Sequence, residues 1–529
     1  QQRPIPPSVL KEIKARGMIA LLLGLVTLSG ALYFYLLHRS SYFTRRGIPQ
    51  VPPASLIFGS SLEMFRKHEP RILKFGEWTK KYGKTYGVKE GATNLLVTSD
   101  LEIVNDVFVK QFDNFYSRKA AIFGPDVDNE QRIHLFLARG SRWKRLRYIS
   151  APSFSISSLR KIRPIVEDSV LNMITIMEQR HGGGDAFNIH DFYCEYTMDT
   201  IGRLVMGQKE SLYFQNPKVE LVKAMFMRDF DLPLVHLRYA FPFITPIMRK
   251  LLLKVPNRLT GGFMKLRAEI HDAVQERITR REQNPSVADN VEDFIDLFLN
   301  SREDGQELGA QGEFKLSEAK VSKSLTIDEV ISQAFVFILA GFDTTANALA
   351  YTSWLLAVNP RVMRRCQEEI DDVCGEESIS FDDINNLRYL EATCKETLRF
   401  FPLGAFANSR QCMNTTKIGD LEIEKDTDVA VDTFSLHFDE AIWGEDAAEF
   451  KPERWLEDRK VPQAAYIPFG AGPRICIGMR LAMMEEKMAL AHLLRRFDFL
   501  KGTESSSLQL HGALTLTPVE VPIRIVKRQ

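Results

Sequence analysis

The sequence predicts a mainly α protein with small β-sheets, a single domain behind an N-terminal transmembrane anchor. Three features predict it. Residues 17–37 run without a charge. From about residue 100 to 400 the apolar residues recur mainly at helical spacing. Short β-branched runs stand at both ends of that middle, so distant segments must pair to close one domain. With 45% hydrophobic and 26% charged residues in a chain of 529, the composition excludes a disordered, collagenous or repeat protein. The 69 Lys+Arg balance 68 Asp+Glu, which removes any global case for nucleic acid as a partner. A local basic face stays open. Six cysteines at irregular spacings, with no C-x-x-C pair, exclude a disulfide framework and a zinc site, and point to a reducing compartment.

Taken in order, residues 1–17 form an N-terminal extension carrying Lys11, Lys14 and Arg16. Residues 18–37 are the anchor. As a helix they span about 30 Å, the thickness of a hydrocarbon core. Arg39, Arg45 and Arg46 follow directly, which assigns the rest of the chain to the cytoplasmic side. A cleaved signal peptide is the alternative, but its apolar stretch is only about 7–15 residues, followed by small ones. This run is longer and carries bulky Tyr33, Phe34 and Tyr35. Met18 stands at the start of the apolar run. The expectation is that Met18 is the natural initiator, and amino-terminal sequencing of native protein that finds residues 1–17 would overturn it. Residues 38–54 are a basic, Pro-rich linker. Its segment Gly47 to Pro53 is expected to be a stiff, non-helical spacer, because proline fixes φ and lacks an N–H. Residues 55–529 form the folded domain.

Within that domain, 84–89 and 94–98 read as two strands across a Gly91 turn. Residues 284–324 are polar and read as a long surface connection around a short helix. Strand character returns from 418 to 435, and the tail from Leu508 to Val526 alternates like a hairpin. A helix is expected from about Ile327 to Val358. Thr326 and Glu329 form a capping box at its start and Pro360 bounds its end. Its centre is apolar apart from Asp343, Thr344, Thr345 and Asn347. A second membrane span is the alternative reading, against which stands the ionisable residue near the middle.

The strongest chemical signal is the loop from Phe469 to Gly478, containing Gly470, Gly472, Arg474 and Cys476. A helix begins directly after it, at Met479. A cysteine before a helix N-terminus faces free backbone N–H groups and the positive end of the dipole, and both stabilise a thiolate. An inert buried thiol would need neither glycines nor arginine here.

This loop, F-x-x-G-x-R-x-C-x-G, resembles the haem-binding loop of the cytochrome P-450 superfamily at every fixed position. The resemblance implies a single domain of that type, with haem b as cofactor and Cys476 as the axial ligand of its iron. Loop residues Phe469 and Arg474 would contact the cofactor. Ala340-Gly341-Phe342-Asp343-Thr344 resembles the family's distal signature. Ala340 and Gly341 would leave room for O2, Gly341 would loosen the helix ladder, and Asp343 with Thr344 would relay protons as the catalytic pair. Trp143 and Arg147, in W-x-x-x-R, would serve a haem propionate, as would Arg474 and Arg410. Glu396 and Arg399, in E-x-x-R, would pair with Arg454 to hold the cysteine loop in register.

The resemblance spans about residues 48–526 and is nearest the animal microsomal drug and steroid oxidases and thromboxane synthase. It implies monooxygenation of a lipophilic xenobiotic, steroid or fatty acid. Electrons would come from NADPH through a flavoprotein reductase, with a cytochrome b-type protein as second donor. The location implied is the endoplasmic reticulum membrane, single-pass. Arg142, Lys144, Arg145, Lys451, Arg459, Arg480 and Lys487 would jointly form a cationic dock for an acidic electron donor, or a plain solvated face. Apolar residues at 225–256 read as ordinary core or as a substrate roof dipping into membrane lipid. Segments 115–136, 226–243, 403–407 and 513–516 are pocket-lining candidates by family geometry. Two alternatives remain. Relatives that rearrange peroxides need neither O2 nor reductase and can dispense with the acid–hydroxyl pair. A non-enzymatic haem sensor needs no proton relay.

Overall fold

An unbroken helix from Pro7 to Ser40 opens the chain in the computed structural model. The structure describes residues 7–528 except 67–68, 120–123, 229, 255–260, 287–290, 302–313, 376–377, 458–460, 506 and 513. Residues 1–6 of the predicted extension, Arg459, Ala513 and part of the 284–324 connection therefore lie outside the described residues. The helix runs through position 18 without interruption. Its apolar side chains from Met18 to Tyr35 stand exposed, with nothing of the domain over them.

The predicted spacer is non-helical beyond Arg46 but is not a free linker. Gln50 Oε1 accepts from the N–H of Phe43 at 3.0 Å, and Gln50 Nε2 donates to Ser40 O at 2.6 Å. The Gly87 N–H donates to Pro49 O at 2.8 Å, and the Val51 N–H donates to Gly87 O at 3.0 Å. The segment thus extends a sheet edge. Gly87 is needed there, because a Cβ on it would meet the Phe43 ring at 2.0 Å.

Eleven strands occur among the described residues. β1 (Thr85–Glu90), β2 (Thr93–Thr98), β3 (Phe187–Asn188), β4 (Ser409–Gln411), β5 (Thr416–Ile418) and β6 (Leu421–Ile423) come first. β7 (Asp428–Val431), β8 (Phe497–Lys501), β9 (Leu510–His511), β10 (Thr517–Pro518) and β11 (Pro522–Lys527) follow. The main sheet has the order β1-β2-β7-β4 and pairs Leu95 with Asp428 in a parallel contact. A second sheet, β3-β11-β8, joins residue 187 to the C-terminal tail. Distant segments do close the domain. The predicted tail hairpin is only partly right: β9 pairs with β10, but β11 leaves to pair with β8.

The helix Ile327–Val358 crosses the domain with the predicted capping box. Most of its side chains are buried under other protein elements, which removes the second-membrane-span reading. Glu329 serves twice. It closes the capping box, and it accepts from Arg145 at 2.7 and 2.9 Å and from Arg142 at 3.1 Å. This corrects part of the expected basic face: Arg142 and Arg145 are buried counterions of Glu329, and buried Lys487 donates to Ile384 O at 2.7 Å, whereas Arg480 is exposed and Lys451 partly so. Lys144 donates to Leu316 O and Ala319 O, at 2.7 and 2.6 Å. A buried charge survives only when paired, and sequence spacing does not reveal the pair.

The apolar stretch 225–256 is split. Met225, Val235 and Tyr239 are buried, whereas Phe243, Ile247 and Leu251 face outward from the short helical segments Pro242–Ile244 and Thr245–Lys254.

Candidate active site

The loop before the helix Met479–Arg496 takes its shape from two glycines. Gly470 and Gly472 have φ of 77° and 67°, values that L side chains rarely adopt. A Cβ on Gly472 would also strike Phe108 O at 1.9 Å. Gly472–Arg474 forms one 3₁₀ turn, and the Cys476 N–H donates to Phe469 O at 2.8 Å, closing the loop. These constraints point the Cys476 side chain into a cavity.

Cys476 differs in environment from the other described cysteines. Cys194, Cys366, Cys394 and Cys412 are buried in packed core, and burial pushes their thiols up, to about 12 for Cys366 and about 11 for Cys412. Cys476 opens onto the cavity. Burial raises its thiol too, but the N–H groups of Gly478 and Met479 and the charges of Arg147 and Arg118 oppose that. Those four groups favour the anion.

The cavity encloses about 1330 Å³, its open mouth included. The helix Ile327–Val358 supplies one wall through Ala340, Gly341 and Thr344. Ile475 to Gly478 and Leu481 supply the opposite one. Leu135, Phe136, Val336, Phe337 and Leu403 make much of the lining apolar. The helix is unbroken at Gly341, so the expected loosening is not visible as a break. Gly341 is required for packing instead: a Cβ there would meet Ile201 Cδ1 at 2.8 Å.

Four arginines, Arg118, Arg147, Arg410 and Arg474, line the same cavity. Arg147 donates to Ile475 O at 2.7 Å. Arg118 donates to Phe136 O at 3.0 Å and to Arg474 O at 3.3 Å. Arg410 reaches Ser409 O at 2.8 Å, and Arg474 reaches Ala138 O. The Nε atoms of Arg118, Arg410 and Arg474, and Nη1 of Arg474, are buried with no hydrogen-bond partner. Burial pushes all four guanidinium groups down, Arg118 to about 10, and the charges facing Arg474 are the other three arginines. Among the described residues none of the four has a carboxylate partner. A site so built requires an anionic occupant, because buried, unpaired charge is otherwise costly. The two propionates of haem b are such an anion, the apolar walls suit its ring, and the Cys476 sulfur suits its iron. The residues present fit the group.

Trp143 does not line the cavity. Its ring lies under the Arg474 guanidinium at 4.8 Å and beside Phe112. Phe469 lines the cavity. Of the pocket-lining candidates, 115–136 and 403–407 contribute, 226–243 does not, and 514–516 border a separate cleft.

On the wall facing Cys476, the Thr344 hydroxyl donates to Ala340 O at 2.7 Å. Asp343 points away from the cavity. Its Oδ2 accepts from Thr515 at 2.6 Å and Asn347 at 2.8 Å, and burial pushes its carboxyl up to about 7.

Sequence reasoning did not single out two ionisable cavity residues, Arg118, which lies inside the candidate segment 115–136, and Glu485. Arg118 sits in irregular chain and carries no local signal. Glu485 lines the cavity from the helix Met479–Arg496, and burial pushes it up to about 8 against a hydrogen bond from Thr345. The signal for it was available: a carboxylate between Met484 and Met488 on an otherwise apolar face.

Behind the loop, Glu396 is fully buried. It accepts from Arg399 at 2.9 and 3.0 Å, Arg454 at 2.9 Å and Trp455 Nε1 at 2.9 Å. The two arginines then clamp backbone carbonyls at 437–449. Trp455 packs on Tyr466, whose neighbour Ile467 donates its N–H to His437 Nε2 at 3.2 Å. Phe469 follows two residues later.

The family model described as Cytochrome P450 matches residues 49–523. Three curated relatives, all from Caenorhabditis elegans, match nearly end to end. Putative cytochrome P450 CYP13A10 is 44% identical, covering 97% of this chain and 100% of its own length. Putative cytochrome P450 CYP13A4 is 41% identical, covering 95% and 98%. Putative cytochrome P450 cyp-13B1 is 41% identical, covering 97% and 99%.

Proposed function

The chain belongs to the cytochrome P450 family of haem-thiolate monooxygenases, and from that premise we propose the parts its own residues play. It inserts one oxygen atom of O2 into a lipophilic small molecule, a xenobiotic, steroid or fatty acid. NADPH supplies the electrons through a flavoprotein reductase, with a cytochrome b-type protein as second donor. The protein sits in the endoplasmic reticulum membrane by its N-terminal helix, with the domain in the cytoplasm. The observation that carries the reading is a single cavity with the Cys476 sulfur on one wall, the Thr344 hydroxyl on the other, and four carboxylate-free arginines around it.

Cys476 is the metal ligand. Its sulfur is held as an anion by the N–H groups of Gly478 and Met479. Arg118, Arg147, Arg410 and Arg474 bind the propionates, and Trp143 supports Arg474 from behind. Haem b, once bound, supplies oxygen activation and transfer. Thr344 holds a proton at its Oγ1 on the oxygen side, and Asp343 restocks it by turning its carboxyl from Thr515 and Asn347 toward the cavity. The apolar walls exclude water and orient the substrate. The Asp343–Thr344 pair favours oxygen activation over peroxide rearrangement, which has no use for a proton supply.

Thr344→Ala is expected to lower product formed per electron consumed by roughly 10²-fold, the low end for a lost proton-transfer group. By-product peroxide rises correspondingly. Unchanged coupling in that variant, or turnover without NADPH, would remove the monooxygenase reading.

A further inference from the structure

A second opening borders Thr515, a hydrogen-bond partner of Asp343. Arg71, Ile72, Phe75, Phe406, Leu514 and Thr515 line a cleft of about 350 Å³, its open mouth included. Its enclosed part has room for a water or two. Thr515 therefore has two neighbours: this cleft, and Asp343 Oδ2 at 2.6 Å.

We propose that Thr515 passes protons from water in this cleft to Asp343, so that the β9–β10 hairpin is part of the enzyme's proton supply. The inference rests on Asp343 being the acid of the monooxygenase reaction.

Asp343 has two hydrogen-bond donors, and they are not equivalent. Asn347 Nδ2 donates to it at 2.8 Å and to Thr517 Oγ1 at 3.1 Å. An amide donates a proton into a hydrogen bond but does not pass one along. A hydroxyl carries one donor and two lone pairs, so it can accept from water while donating to a carboxylate. Thr517 Oγ1, 3.2 Å from Thr515 Oγ1, holds that hydroxyl in place. In the step, an excess proton from bulk solvent reaches the cleft as hydronium; one of its O–H bonds breaks to leave water and forms to Thr515 Oγ1, while the original Thr515 proton moves to Asp343 Oδ2. One proton crosses, the hydroxyl is regenerated, and rotation about its C–O bond resets it.

The surroundings suit a group that loads and unloads. No cation pairs with Asp343 among the described residues. The ionisable groups that feel its charge are Cys194 on the helix Ile189–Met206 and Tyr351 on its own helix, both kept neutral by burial. From the hairpin it meets Thr515, with Thr517 and His511 paired behind. With its carboxyl near neutrality, Asp343 is charged and discharged across the physiological range.

The test compares holoenzyme carrying Thr515→Val, Thr515→Ser and Asp343→Asn. The readouts are coupling, pH profile and the infrared titration of the Asp343 carboxyl. Turnover of the native enzyme should fall as pH rises through about 7, where that carboxyl empties. Thr515→Val removes a donor to the carboxylate, so the falling limb and the infrared midpoint both move to higher pH. Coupled turnover drops by roughly 10-fold or more. Thr515→Ser restores all three, which a merely structural hydroxyl-to-methyl effect on packing would not do. Thr515→Val with native coupling, or Thr515→Ser failing as badly as Thr515→Val, overturns the relay. If Asp343→Asn slows the enzyme while Thr515→Val does not, only the Thr515 step falls. If Asp343→Asn changes nothing, the reading of Asp343 as the acid falls with it.

Discussion

Replacing Cys476 with alanine is expected to abolish turnover, by at least about 10³-fold, while leaving the fold in place. The side chain points into the cavity and contributes no core packing, so its loss should change stability by no more than about 0.5 kcal/mol. Under the proposed function its contribution is the sulfur anion on iron, and no other described cysteine lines the cavity. Cys194, Cys366, Cys394 and Cys412 are buried in core, with thiols pushed up by burial. The measurement is the difference spectrum of reduced protein with carbon monoxide, alongside far-ultraviolet circular dichroism. The variant should keep native dichroism and lose the thiolate band. A variant retaining that band would show that the ligand lies elsewhere.

Glu396→Ala should have the largest effect on stability, a loss of about 3–5 kcal/mol. The carboxylate is completely buried and is the counterion of both Arg399 and Arg454. Removing it leaves two buried guanidinium groups without charge compensation. That is a large share of the roughly 5–15 kcal/mol by which domains are stable. The damage should travel along one route: from Glu396 to Trp455, by its ring to Tyr466, and by the chain to Phe469 and the cysteine loop. The variant should therefore lose the thiolate band at denaturant concentrations below its global unfolding. Arg454→Lys keeps the charge but not the planar fork, and should fall between native and Glu396→Ala. Coincident loss of the band and of the fold in every variant would show that the cluster stabilises the domain without steering the loop.

The parts legible in the sequence were those whose determinants lie close together along the chain. The loop around Cys476 needs two glycines, an arginine and a helix start within ten residues, and all are local. The ends of the long helix were written in Thr326, Glu329 and Pro360. Glu396 and Arg399 share a helix face by spacing alone. What escaped depends on contacts between distant segments. Arg118 reaches the carbonyl of Arg474 across 356 residues, and nothing beside it announces this. Arg142 and Arg145 look like solvent cations until Glu329 is brought over them. β3 and β11 pair residue 187 with residue 523, and a two-residue strand has no periodicity to detect. Asp343 was found as a residue but not in its orientation, because that follows from Thr515 and Asn347 together. The two readings of 225–256 stayed open because exposed and buried large side chains have the same letters.

The junction around Gln50 has a mechanical consequence. One side chain ties the last turn of the N-terminal helix to the segment that edges the main sheet, and the Phe43 ring seats on Gly87. Helix and body thus move as one lever rather than as a float on a string. With that helix in a bilayer, the pitch of the catalytic body above the lipid plane is set by the fold itself. Inserting residues between Ser40 and Gln50 would change the angle at which greasy molecules meet the enzyme without touching a single atom of its cavity.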